Sequence, residues 1–72
     1  MNKEIKSHKE AELALREGKK LVNIYYSEGE YLFLNLAQGQ LQTEEGCLHG
    51  NFNDEFWQVY QKQLPEIWYI ID

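Results

Sequence analysis

The sequence predicts an α+β fold: a short antiparallel sheet, a three-stranded meander plus a C-terminal strand, with two helices packed on it in the order αβββαβ. Three observations lead there. Two stretches repeat apolar residues at helical spacing behind good N-caps. Between them lie short alternating runs separated by glycine-bearing turns. The chain closes on a β-branched and aromatic tail, "IWYIID".

Ser7-His8-Lys9-Glu10 reads as a capping box, the Ser7 hydroxyl accepting from the Glu10 N–H and the Glu10 carboxylate reaching back. Ala11, Ala14 and Leu15 follow at helical spacing, with Leu13 alongside, and Gly18 suits the left-handed residue that ends a helix. A helix is therefore expected over 7–17. "KKLVNIYY" is expected extended, with Val22, Ile24 and Tyr26 on one face and Leu21, Asn23 and Tyr25 on the other. Gly29 in "SEGE" offers a turn into "YLFLNL", whose Leu32, Leu34 and Leu36 are the side to bury. Gly39 marks the next turn, "LQTEEG" a weak third strand and its turn, and "CLHG" irregular chain. Asn53 then caps a second helix with Asp54 and Glu55 in its first turn, where the helix dipole favours acids. Phe52 and Trp57 stand at the positions of a hydrophobic staple. Phe56, Tyr60 and Leu64 repeat every four residues, and Pro65 stops the helix. The apolar tail requires a docked strand, an inner one.

With 72 residues the chain is read as one domain, 1–72, with residues 1–6 frayed. Domains this small bury about 60% of their unfolded surface and usually need a staple or a partner. One cysteine gives no internal disulfide and points to a reducing compartment. No apolar run approaches the ~20 residues of a membrane span, and the N-terminus has no signal-peptide core. The expectation is a soluble protein of the cytoplasm of a bacterial host, without membrane contact.

Charge is unevenly distributed within a formal net of −5. Residues 1–20 carry six basic and four acidic side chains, a net of +2. Residues 21–72 carry eight acids against Lys62, a net of −7. Such a body argues against direct nucleic-acid binding, which needs clustered Lys and Arg. It suits a basic surface on another protein, while also being an ordinary charge for solubility. Glu28, Glu30, Glu44 and Glu45 are the acids assigned to that surface. Ten aromatics exceed what so small a core accommodates. Tyr25, Tyr31, Tyr60 and Tyr69 are assigned to an interface or groove, and a homo-oligomer is expected.

Cys47 and His49, two residues apart in "GCLHG", would point the same way in a strand. A catalytic cysteine also needs an oriented base and an oxyanion hole, and none is evident. Zinc needs four ligands, and one Cys with two His falls short, His8 being placed in a solvated capping turn. They are read as a half-buried thiol and a loop histidine. The acid pairs lack the alternating oxygen ligands of a calcium loop, and the glycines form no phosphate-binding motif. No catalytic residue, metal or cofactor is expected.

"EAELALREGKKL", a strand, "EYLFLNLAQGQLQTEEG", a short helix and the terminal "IWYIID" resemble a group of very small phage and prophage proteins. Among characterised groups the chain looks most like the Thoeris anti-defence type two proteins, which sequester a cyclic nucleotide-like immune signal in pockets between subunits. The Trp usual shortly after "GKK" is here Tyr25 or Tyr26, and the usual acid before the final Trp is Ile67, so no binding residue is carried over. Two readings follow. One is a non-enzymatic anti-defence protein that blocks a host protein, one with a basic nucleic-acid-binding face, through its acidic aromatic surface. The other is a homo-oligomeric sponge for a nucleotide-like signal.

Overall fold

The computed structural model describes residues 3–71. The order is β1 (Lys3–Ile5), α1 (His8–Arg16), β2 (Lys20–Asn23), β3 (Leu32–Asn35), β4 (Gln40–Thr43), β5 (Gly46–His49), α2 (Asp54–Gln61) and β6 (Trp68–Ile71). The α+β class is as expected; the strand count is six and the order βαββββαβ. The strands form one antiparallel sheet, β1-β6-β2-β3-β4-β5.

α1 starts where its cap predicts. Ser7 is extended and its hydroxyl accepts from the N–H groups of Lys9 and Glu10. The helix ends at Glu17, followed by Gly18 at φ 82°, a left-handed conformation that costs glycine little. Ala11, Ala14 and Leu15 face the sheet. α2 starts at Asn53, whose side chain accepts from the Phe56 N–H at 2.8 Å. The staple pair Phe52 and Trp57 lies 6.1 Å apart between ring centroids. Trp57, rather than Phe56 or Tyr60, is the residue α2 buries completely. Arg16 ties the helices together, 3.1 Å from Glu12 and 2.8 Å from Asp54. Exposed pairs of this kind contribute little.

Four expectations are corrected. Residues 3–5 of the segment read as frayed form an edge strand, because β6 offers it a partner and Ile5 enters the core; residues 1 and 2 lie outside the described residues. The stretch after Lys20 stops being a strand at Asn23, whose carbonyl and side chain accept from the N–H groups of Tyr26 and Tyr25 and turn the chain. Ile24 and Tyr25 are consequently exposed, and Tyr26 turns back to the core edge. Leu36 lies beyond β3 and is exposed, unlike Leu32 and Leu34. "GCLH" is not irregular but a fourth meander strand, paired with β4 through a bulge.

Ile5, Leu21, Leu32, Leu34, Leu41 and Trp68 line the helix-facing side of the sheet and meet Ala11, Ala14, Leu15 and Trp57. Trp57 and Trp68 lie 5.7 Å apart between centroids at its centre. β6 runs between β1 and β2, the inner position its apolar sequence demands. The Trp68 indole N–H donates to His8 Nδ1 at 3.1 Å, so His8 closes the core rather than sitting in a solvated turn. Among the described residues, no helix is long and apolar enough to cross a membrane.

Candidate functional site

The acidic residues converge through two turns. Asn23 ends β2 and sends the chain into the segment 24–31. There the Ser27 N–H donates to Glu30 Oε1 at 2.7 Å and the Glu30 N–H donates back to the Ser27 carbonyl. Gly29, at φ 88°, supplies the positive angle this tight turn needs. β3 then pairs with β4, Leu32 opposite Thr43. That register sets the β4–β5 turn beside the start of β3. The Tyr31 N–H reaches Glu44 Oε1 at 3.4 Å, and the Glu45 N–H donates to Thr43 Oγ1 at 3.1 Å. Glu28, Glu30, Glu44 and Glu45 thus share one end of the sheet. Tyr25, 74% exposed, projects from the same segment.

Tyr26 and Tyr60 lie behind this end, their hydroxyls 2.8 Å apart. Burial, foremost, pushes the Tyr26 hydroxyl well above the usual tyrosine range. The bond to Tyr60 and the negative charge of Glu30 and Glu44 add to it. Burial likewise raises Tyr60, with Glu30 contributing. Of the four acids, Glu30 and Glu44 thus act on the tyrosine pair behind them. Tyr60 is a packing residue with a hydroxyl partner, not a free interface residue.

A second surface is the side of the sheet opposite the helices. Register and alternation place Val22, Tyr31, Phe33, Tyr69 and Ile71 there, all partly exposed, with Lys20. Lys20 Nζ stands 4.9 Å from the centre of the Tyr31 ring. Of the four assigned tyrosines, only Tyr31 and Tyr69 share this face, and Tyr31 alone also borders the acidic end. Sequence reading missed Phe33, Val22 and Ile71 as surface residues. The signal was present in "YLFLNL", where Tyr31 and Phe33 alternate against the leucines.

Cys47 and His49 do not form a pair. The bulge at Leu41/Gln42 breaks the alternation of β5. Cys47 lies opposite Gln42, exposed on the open face, rather than half-buried. His49, a strand residue rather than a loop one, stacks on Phe56 of α2 with centroids 4.0 Å apart. Between the helices an open cleft of about 500 Å³ is lined by His8, Glu12, Asp54, Gln58, Gln61 and Glu66. His8 and Glu66 are engaged with one another there, the His8 N–H donating to the Glu66 carboxylate at 3.1 Å. Among the described residues no group of three His, Cys, Asp or Glu side chains is placed to hold a metal ion. No family model, curated protein or solved structure matches the chain.

Proposed function

We propose that this chain is a non-enzymatic binding protein whose acidic, tyrosine-bearing sheet end covers a basic surface of a host protein. The observation that carries the reading is the convergence of Glu28, Glu30, Glu44 and Glu45, from segments over ten residues apart, beside the exposed Tyr25 and the partly exposed Tyr31. Complementary charge steers encounter, and aromatic anchors supply contact area at small entropic cost. A nucleic-acid-binding face is the natural basic target, because an acidic body can occupy the place of phosphate. The likeness to small phage and prophage proteins supports a defence-related target in a bacterial cytoplasm.

The test is a pull-down from bacterial lysate with the wild-type chain and with the Glu28→Gln, Glu30→Gln, Glu44→Gln, Glu45→Gln variant. The reading expects a basic nucleic-acid-binding protein retained by the wild type, with affinity falling as salt rises. The variant should bind at least about tenfold more weakly. Equal retention by both chains would overturn the electrostatic basis.

The open sheet face favours a second reading, the sponge for a nucleotide-like signal: Tyr31, Phe33 and Tyr69 offer stacking surfaces and Lys20 a cation. Native mass spectrometry of protein purified from a bacterial host should then find retained mass that Tyr69→Ala abolishes. Tyr25→Ala should not abolish it, since Tyr25 sits at the sheet end.

A further inference from the structure

α1 does not roof the whole of the sheet beneath it. Between the helix and the strands β1 and β6 runs a groove of about 370 Å³. Its floor is apolar: Ile5 and Ala14 are buried there, and Ile70 is only partly covered. Leu13 forms a wall and is 53% exposed. Helical spacing builds the rim, because residues 10, 13, 14 and 17 fall on one stripe of α1. Glu10 and Glu17 therefore stand two turns apart, with Leu13 and Ala14 between them. Lys3 and Glu4 complete the rim from β1.

The charge of this rim runs against that of its segment. Residues 1–20 hold six basic and four acidic side chains. Three of those four acids line the groove, but only one of the six bases, Lys3. The fourth acid, Glu12, is engaged with Arg16 at 3.1 Å. Glu4 is shared with Lys6 at 3.7 Å, which leaves Glu10 and Glu17 to carry the acidity of the rim.

We propose that this groove is a docking site for a basic peptide segment of a partner protein, one that carries an aliphatic side chain between two lysines or arginines. Charge selects the occupant. A second copy placed groove to groove would bring the same carboxylates, and a nucleic acid or an anionic lipid would bring phosphates; like charge repels each of them. A free amine would meet the acids and leave Leu13 and Ile70 wet. A peptide meets both. Glu10 and Glu17 are separated by about 10 Å along the helix. In an extended segment, side chains two and four positions on point the same way, the outer pair about 13 Å apart. Two flexible cationic stems can close that difference while the aliphatic side chain between them covers Leu13 and Ile70. The groove shares no residue with the acidic sheet end, and its role stands or falls apart from the function proposed above.

The probe is the capped synthetic peptide Ser-Lys-Ser-Leu-Ser-Lys-Ser, titrated into the full chain at low salt and followed by backbone amide chemical shifts. Shifts should gather at Glu10, Leu13, Glu17 and Ile70, with half-saturation at or below about 1 mM, the weak end of specific affinity. Added salt should weaken the binding. The Glu10→Gln, Glu17→Gln double variant should bind at least about threefold more weakly, the sum expected of two exposed ion pairs, with circular dichroism and melting temperature unchanged. Replacing the peptide's Leu by Ser should weaken binding as well, whereas the Glu44→Gln, Glu45→Gln variant should bind as the wild type does. Half-saturation above about 1 mM overturns the proposal. So does equal binding by the double variant, or by the leucine-free peptide, which would reduce the groove to a counter-ion site. Shifts gathered instead at Glu28, Glu30, Glu44 and Glu45 would assign the peptide to the sheet end and overturn it too.

Discussion

Asn23 shows how much one side chain decides. It is fully buried, donates from Nδ2 to the Pro65 carbonyl at 2.9 Å and accepts at Oδ1 from the Tyr25 N–H at 2.9 Å. It therefore ends β2, sets the loop that carries Tyr25 and Glu28, and anchors the chain before β6. Asn23→Ala should cost about 1–3 kcal/mol, because the partly buried amide and carbonyl it serves lose their partners and a fully buried side chain is removed. Ile24→Ala, on an exposed neighbour, should stay within about 0.5 kcal/mol; urea unfolding checks both. The Tyr26–Tyr60 pair makes a second residue-scale prediction. Both hydroxyls are held above the ordinary tyrosine value of 10.0 by burial. The unfolded chain therefore releases these protons first as pH rises. Their contribution to stability is full below about pH 10 and declines above it. An alkaline titration followed by phenolate absorbance should show two tyrosines ionising only as near-ultraviolet circular dichroism is lost. Tyr26→Phe should remove part of that alkaline sensitivity.

At the scale of elements, β1 and β6 are the informative pair. Lys3–Ile5 look dispensable in sequence, yet they cover the outer edge of β6 in register Lys3 to Ile70 and Ile5 to Trp68. Removing residues 1–6 should destabilise the domain by ~2–5 kcal/mol, the range for losing a buried aliphatic side chain, and expose the β6 edge to aggregation. A shortened chain that melts with the full-length one would refute this. The helix starts, by contrast, were legible to within a residue, although α2 ends at Gln61, three residues short of the Leu64 that Pro65 was expected to make its last. Ser7 and Asn53 are caps by their side-chain chemistry, and that chemistry acts over three residues. β5 was not legible, because "GCLH" has no strand periodicity of its own. Its pairing with β4 and the stacking of His49 on Phe56 hold it in place.

For the whole molecule, the core rests on two tryptophans. A chain of this length has a total stability of roughly 4–11 kcal/mol, at about 0.05–0.15 kcal/mol per residue. Truncating a buried Trp costs about 3–5 kcal/mol. Trp68→Ala also deprives His8 of its indole partner. It should abolish the cooperative thermal transition at the low end of that range and lower its midpoint markedly at the high end. Both helices lie on one side of the sheet, so the other side is left to Val22, Tyr31, Phe33, Tyr69 and Ile71. The excess of aromatics noted in the sequence divides accordingly. Tyr26 and Tyr60 close the core edge, Tyr31 and Tyr69 stay on the open face, and Tyr25 stands alone at the acidic end.

The sequence by itself determined the α+β class, both helices with their caps, the turn at Gly29 and the inner place of the C-terminal strand. Each of these follows from local chemistry or from an apolar run that water excludes. Only the tertiary structure decided that Lys3–Ile5 and Gly46–His49 are strands, that four acids from two turns meet at one sheet end, and that Cys47 and His49 part across a bulge. Those outcomes depend on strand pairing between distant segments. Pairing energy resides in backbone hydrogen bonds that every sequence carries alike, so only the assembled sheet reveals which segments receive them.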